Sequence, residues 1–182
     1  MKVVSQNKMF KLVCFTQDDF LTYREKIAED FSNIFATDKK GNPADNKQDA
    51  KEQIEDLMTG FYYDDCRGFI YFIYDKNDLP ISVAVYSEDN YHLHLEIIAT
   101  REDYKTMGFA SNLCLQSFSD LANNYDVDTI TATVNTKNYQ SNYLQESLMR
   151  NENIDCFITN SDDRIGYTYD IRGLVNAPQM EQ

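Results

Sequence analysis

The fold is decided by the stretch from Leu95 to Ala122, LEIIATREDYKTMGFASNLCLQSFSDLA. It begins inside a strand predicted from Tyr91 to Thr100, where polar and apolar residues alternate. It ends in a helix predicted from Gly108 to Asn124, whose apolar residues recur at helical spacing. The alternation predicts one strand face carrying Leu93, Leu95, Ile97 and Ala99, and another carrying His92, His94, Glu96 and Ile98.

A glycine stands where the polar loop of this stretch turns into the helix. Gly108 lets backbone approach a ligand closely and adopts dihedral angles that other residues avoid. The first amides of a helix lack intrahelical partners and lie at its positive dipole end, an arrangement that suits a phosphate. Lys105, three residues earlier, adds a positive charge. The stretch therefore predicts an anion-binding loop at a helix start.

The rest of the chain surrounds this unit with further strands and helices. Residues 1–172 are predicted to form one α/β (α+β) domain, with four helices flanking a mixed, mostly antiparallel sheet of about seven strands. We expect a flexible tail over residues 173–182. The predicted elements are strand Lys8–Thr16, helices Gln17–Ala36 and Asn46–Thr59, strands Arg67–Tyr74, Ile81–Ser87 and Tyr91–Thr100, helix Gly108–Asn124, strand Val127–Val134, helix Asn138–Arg150, and strands Asp155–Thr159 and Arg164–Ile171.

The loop and the element order resemble those of the GNAT superfamily of N-acetyltransferases. The family signature, Gln/Arg-x-x-Gly-x-Gly/Ala, reads here Lys105-x-x-Gly108-x-Ala110, so both ends differ from the commonest residues. The resemblance covers most of the chain and implies acetyl-CoA as cofactor. It also implies that cofactor contacts come from Ile98, Ala99, Thr100, Lys105, Thr106, Met107, Gly108, Phe109, Ala110, Ser111 and Asn138.

Acetyl transfer to an amine needs a group that takes a proton from the nitrogen. His94 and Glu96 lie on the strand that the resemblance places beside the acetyl group, and either is a candidate base. The resemblance also offers Tyr143 as the acid at the CoA sulfur. That position is open, because counting strictly from Asn138 gives Gln145 and counting from Asn135 gives Asn142.

Net charge constrains the partners. The chain carries −13, and residues 61–182 hold 19 acidic against 8 basic residues. An acidic domain disfavours nucleic acid and is compatible with a cationic amine or a basic protein as acceptor. Candidates for the acceptor pocket are His92 and, in the segment before the first hairpin, Tyr62, Tyr63 and Asp64, where aromatic rings and carboxylates together could hold a cation.

The cysteines and the apolar runs bear on location. The four cysteines are far apart and form no CxxC pair, so we expect structural thiols in a reducing cytoplasm and no metal site. No apolar run approaches the roughly 20 residues that span a bilayer, and no signal peptide is evident.

A homodimer is compatible with the sequence. Two alternatives to an amine acetyltransferase stay open: a non-catalytic CoA- or protein-binding module, and a toxin-type acetyltransferase of aminoacyl-tRNA, which the acidic charge disfavours.

Overall fold

The computed structural model describes residues 1–36, 46–63, 66–89 and 92–175, without the side chains of Tyr63 and Asp89. The described elements, in chain order, are strands β1 (Lys2–Gln6) and β2 (Phe10–Thr16), helices α1 (Gln17–Ile34) and α2 (Lys47–Tyr63), strands β3 (Gly68–Asp75), β4 (Pro80–Asp89) and β5 (His92–Thr100), helix α3 (Phe109–Asn124), strand β6 (Thr129–Asn135), helix α4 (Tyr139–Leu148), and strands β7 (Asp155–Asn160) and β8 (Arg164–Asp170).

The strands form one mixed sheet in the order β1-β2-β3-β4-β5-β6-β8-β7. Neighbours pair antiparallel except β5 and β6, which pair parallel. This confirms the predicted fold class. The sheet has eight strands rather than about seven because β1, which the sequence analysis did not predict, pairs with β2 at one edge.

Two apolar clusters cover the two faces of the sheet. Cluster one lies under α3 and α4 and takes buried residues from every strand from β2 to β8 except β7, whose partly buried Cys156 packs against it. Tyr71, Tyr86, Phe118 and Tyr169 are among its largest buried side chains. Cluster two lies under α1 and α2 and draws on β2, β3 and β4, with Phe15, Phe31, Ile54 and Phe72 as members. Thus α1 and α2 cover only the first half of the sheet, whereas α3 and α4 support the region around β5 and β6.

Two predicted boundaries are wrong. Helix α2 does not end before Gly60 but continues through it to Tyr63, because a glycine inside a helix weakens it without breaking it. The tail does not begin at Gly173, since Arg172–Leu174 form a 3₁₀ turn and Leu174 is buried in cluster one. Residues 176–182 lie outside the described residues. None of the described helices combines the length and apolarity needed to cross a membrane.

Candidate active site

Strand β5 carries a β-bulge at Glu96. On β4, Tyr86 pairs with Leu95 and the preceding Val85 pairs with Ile97, so Glu96 is the extra residue. The bulge reverses the alternation after it: Ile97 packs on cluster two and Ile98 on cluster one. The predicted single face of Leu93, Leu95, Ile97 and Ala99 is therefore wrong beyond Leu95, and Ile98 does not share a face with His94.

Strands β5 and β6 part immediately after His94. Their pairing consists of Leu93 with Ile130 and His94 with Thr131. Beyond these pairs lies a cleft of about 260 Å³. Because backbone groups at a parted strand edge need hydrogen-bond partners, the cleft can accept a ligand that itself carries amides. It is lined by Leu95, Glu96, Ile97, Ile98, Ala132, Thr133, Val134, Asn135, Asn138, Ser141 and Gln145.

The loop between β5 and α3 has the geometry of an anion-binding turn. Thr106 and Gly108 both have left-handed backbone, with φ of 65° and 82°. Helix α3 begins directly after Gly108, so the free amides of its first turn belong to Phe109, Ala110 and Ser111. A Cβ built on Gly108 meets nothing within 4 Å, which leaves the space above the turn open. The predicted cofactor positions from Thr106 to Ser111 are thus brought together on one turn.

The cations of this loop are already paired, contrary to the free positive charge that the sequence suggested. Arg101 donates two hydrogen bonds to Asp103, at 3.0 and 2.6 Å. Lys105 Nζ lies 2.6 Å from Glu102 Oε2. The attraction of the loop for an anion therefore depends on backbone amides and on the helix dipole, which the paired side chains do not cancel.

His94 and Glu96 lie on the sheet face opposite cluster one. The Ser87 hydroxyl of β4 donates a hydrogen bond to Glu96 Oε1, which fixes the carboxylate beside the bulge. His94 Nδ1 is 2.9 Å from the Thr131 hydroxyl oxygen, which lies 3.5 Å from the Leu93 carbonyl. If this hydroxyl donates to the Leu93 carbonyl, it accepts a proton from Nδ1, and in that tautomer Nε2 is the proton acceptor of the ring.

Comparisons with known proteins agree with this geometry at the level of structure. No family model matches the sequence, and no curated protein matches it. Among solved structures, a GNAT-family protein from Desulfovibrio desulfuricans superposes with a TM-score of 0.61 at 12% identity, covering 88% of this chain and 99% of that one. The chain has the GNAT fold.

Further solved structures share it. RimL, a ribosomal-protein alpha-N-acetyltransferase solved in complex with coenzyme A, superposes with a TM-score of 0.60 at 11% identity, covering 94% of this chain and 99% of that one. A spermidine N-acetyltransferase, SpeG from Vibrio cholerae, gives a TM-score of 0.57 at 14% identity, with 93% and 98% covered. At these identities the likeness establishes the GNAT fold and leaves the activity to be argued from the site.

Within the GNAT fold of this chain, Tyr143 lies away from the cleft. Its side chain is 65% exposed on α4. Asn138, Ser141 and Gln145 of α4 line the cleft instead. Gln145 is held there by the Tyr169 hydroxyl, which donates to its Oε1 at 2.5 Å. The structure therefore does not support the acid role expected for Tyr143, and the strict count from Asn138, which reached Gln145, gave the residue at the cleft.

Ser141 was not among the predicted site residues, although its spacing offered a signal. Residues 138, 141 and 145 follow each other at helical spacing on one side of α4. Asn138 caps the helix by accepting the Ser141 amide proton at 3.1 Å, which sets the rotation of that first turn. Leu144 and Leu148 pack in cluster one and so orient α4 with these side chains toward β5, a contact with distant residues that a count along the sequence does not contain.

The expected acceptor residues are only partly brought together. His92 is exposed at the start of β5 and lines a second cavity, of about 210 Å³, with Arg67, Asp126 and Asp128. That cavity is at the opposite end of β5 from the cleft. Tyr62 is exposed at the end of α2. The side chain of Tyr63, and all of Asp64, lie outside the described residues. Among the described side chains, no His, Cys, Asp or Glu group is arranged to hold a metal ion.

Proposed function

We propose that this chain is an acetyl-CoA-dependent N-acetyltransferase that moves an acetyl group to a primary amine, on a small molecule or on a protein lysine or N-terminus. The observation that carries the proposal is the parting of β5 and β6 at His94, directly beside the bulge at Glu96. This places a cleft for an extended ligand and two proton acceptors at the same point of the sheet.

The described residues fit coenzyme A along its length. The left-handed turn at Gly108 and the amides of Phe109 to Ser111 suit the diphosphate. The parted edge of β5, from Glu96 through Ile98 to Thr100, suits the amide-bearing pantetheine arm, which would lie in the cleft. Bound acetyl-CoA supplies the acetyl group as a thioester. Asn138 and Ser141 border the arm from the α4 side.

The acceptor amine approaches from the face that carries His94 and Glu96. Its nitrogen forms a bond to the thioester carbonyl carbon, and the carbon–sulfur bond breaks. The proton lost by the nitrogen passes to Glu96 or to His94 Nε2, directly or through water. In place of Tyr143, the Ser141 hydroxyl donates a hydrogen bond to the departing sulfur. The acidic charge of the chain favours a cationic acceptor.

The first experiment measures binding and then turnover. Acetyl-CoA should raise the melting temperature of the purified chain, and thiol release should appear with a panel of polyamines, peptides and aminoglycosides. No stabilisation by acetyl-CoA would contradict the proposal. Stabilisation without thiol release would favour a CoA-binding module, and release only with aminoacyl-tRNA would favour the tRNA-directed alternative.

The second experiment separates the two candidate bases. Glu96→Gln and His94→Gln are compared with Glu146→Gln, an isosteric change at an exposed position of α4 that does not line the cleft. Loss of the base should lower kcat by about 10²- to 10⁴-fold and remove the alkaline-rising limb of the pH–rate profile. Glu146→Gln should behave as wild type. If both site variants keep the wild-type profile, neither residue is the base.

A cytoplasmic setting follows from the same proposal, since the described cysteines are all free thiols. Alkylation in denaturant, with and without reductant, on protein purified under anaerobic conditions, should show four reduced cysteines in both cases. Fewer than four without reductant would contradict a reducing compartment.

A further inference from the structure

The edge strand β7 is exposed along most of its length. Phe157 is 66% exposed and Ile158 is 47% exposed, and these neighbours point to opposite faces of the sheet. The stretch Cys156–Asn160, CFITN, contains no charged residue, proline or glycine. Such an edge is a ready template for another strand, and natural edge strands usually carry a feature that prevents pairing.

The other edge of the sheet carries such features. Strand β1 is interrupted by a bulge between Val3 and Ser5. Lys2 Nζ reaches back to Asp120 of α3 at 2.7 Å, and the Ser5 hydroxyl donates to Gln116 Oε1 at 2.6 Å. These contacts turn β1 toward the body of the domain. In the described part of the chain, β7 has no comparable feature that would prevent pairing with another strand.

The hydrogen bonds of the hairpin show which groups of β7 point outward. The Ser161 amide donates to the Arg164 carbonyl at 2.9 Å, so this pair is hydrogen-bonded. The β7–β8 register is unbroken, and bonding alternates along an antiparallel pair. The backbone groups of residues 155, 157 and 159 therefore face β8, whereas those of Cys156, Ile158 and Asn160 face away from the sheet.

We propose that β7 pairs antiparallel with β7 of a second copy of this chain, joining two sheets into one across a twofold axis at Ile158. A twofold axis perpendicular to the sheet requires one residue to face its own copy. Centring on Ile158 pairs it with Ile158 of the second copy, and Cys156 with Asn160 of the second copy in both directions. In that register the outward backbone groups of Cys156, Ile158 and Asn160 form six hydrogen bonds between the two copies, whereas a register centred on Phe157 forms four.

The same register is compatible with the charge of the chain. Two copies that each carry −13 repel one another in general. In the Ile158-centred register, Asp155 faces Ser161 of the second copy, so neither carboxylate of the two strands meets the other. Phe157 faces Thr159 of the second copy on one side of the sheet, where it is covered. The proposal depends on the fold and not on the proposed activity.

The pairing also has a consequence for the site. Four residues form a row across one face of the sheet through direct pairing: His94, Thr131, Thr168 and Phe157. A twofold axis perpendicular to the sheet keeps this face on the same side in both copies. The two candidate bases would then share one continuous open face, which a long polypeptide acceptor could cross.

The test is the oligomeric state by sedimentation velocity over a range of concentrations at about 0.15 M salt, where the Debye length is about 8 Å. The wild-type chain should dimerise. Ile158→Lys should weaken dimerisation at least tenfold, because it opposes two like charges at the axis. Val3→Lys makes the same kind of change at the β1 edge, where the side chain is 49% exposed, and should leave the dimer intact. Unchanged circular dichroism would show that each variant folds.

Three results would overturn the proposal: a wild-type chain that stays monomeric, a dimer that survives Ile158→Lys, or a dimer that Val3→Lys dissociates. The register has its own test in a background with Cys66→Ser and Cys156→Ser. Ile158→Cys should form an intermolecular disulfide under a mild thiol oxidant, because facing Cα atoms at about 5.5 Å suit the bond. Thr159→Cys should not. Self-linking of Phe157→Cys in place of Ile158→Cys would overturn the Ile158-centred register.

Discussion

The two halves of the sheet are built differently. In the covered half, β1 to β4, the strands β2 to β4 are packed on both faces, by α1 and α2 on one side and by α3 on the other. In the open half, β6, β8 and β7, one face packs against cluster one. Cluster two takes no residue from these strands, and Thr133 and Phe157 on that side are exposed. Strand β5 is the boundary, and it carries the bulge, the cleft and both candidate bases.

This difference separates the half of the sheet that stabilises the fold from the half that can admit a ligand. Side chains buried on both faces leave little freedom for a ligand, whereas a face without a covering helix admits an acceptor. The boundary strand draws rigidity from β4, with which it pairs along its whole length apart from the bulge. It then presents its other edge to the cleft. A site at this position needs no internal cavity in the packed half.

The largest expected contrast is in thiol reactivity. Burial raises the pKa of the Cys14 thiol in the covered half to about 12, and it raises the pKa of Cys114 in α3 to about 12. Both should resist alkylation until the domain unfolds, a protection of about a thousandfold or more. Cys156 on β7 is half-buried and should react in the native state. Mass spectrometry after timed iodoacetamide treatment measures this, with Cys156→Ser as the control, and fast labelling of Cys14 would erase the contrast.

The next contrast compares one substitution in the two halves. Phe72→Ala removes a fully buried ring from cluster two and should lower the free energy of unfolding by about 3–5 kcal/mol. Phe157→Ala removes an exposed ring and should change it by no more than about 0.5 kcal/mol. Urea denaturation gives both values, at a protein concentration low enough that β7 does not pair with a second copy. Equal losses would show that the open half is also packed on both faces.

The loop at the boundary offers a smaller, matched pair. Gly108→Ala places a Cβ at φ of 82° and should cost about 1–2 kcal/mol of stability. It should also weaken acetyl-CoA binding if the turn holds the diphosphate. Gly60→Ala lies within α2, where a new Cβ meets nothing within 4 Å, and should stabilise by about 0.5–1 kcal/mol. Thermal melts and calorimetric titration distinguish the two, and a neutral Gly108→Ala would mean that the turn is not constrained.

The smallest effect is a pH dependence at the ion pair between Arg67, which precedes β3, and Glu88, near the end of β4. The Arg67 guanidinium donates to Glu88 at 3.2 Å and lowers the pKa of that carboxyl below its ordinary 4.5. A lowered folded pKa stabilises the fold above the ordinary value, and this contribution is lost as the pH falls through the folded value. Glu88→Gln should therefore cost about 0.2–1 kcal/mol at neutral pH and progressively less as the pH falls through the folded value. Urea midpoints measured from neutral pH into the acid range test this, and a pH-independent difference would contradict it.

Much of the fold could be predicted because its signals are local. The apolar spacing from Phe109 to Ala122 requires only the helix itself, and Gly108 marks the start of that helix at the predicted place. The hairpin of β3 and β4 follows from two apolar runs and a turn. These elements, in their order, are enough to give the fold class.

The candidate site was harder to predict, because its geometry depends on partners distant in sequence. The bulge at Glu96 is a matter of register with Tyr86 and Val85 on β4, which alternation within β5 does not encode. The rotation of α4, which brings Gln145 rather than Tyr143 to the cleft, is set by packing against the sheet. The roles of the site residues remain predictions.

The bulge also bears on how this chain tolerates changes in its length. Deleting Glu96 would leave Leu95 opposite Tyr86 and Ile97 opposite Val85 with no extra residue between them, so every β5 side chain would keep its present face. Ile98 would stay in cluster one, and Ile97 and Ala99 would stay on cluster two. One codon lost there would therefore remove the bulge and one candidate base while both cores keep their residues. The extra residue of this strand bears on the candidate site and not on the packing of the sheet.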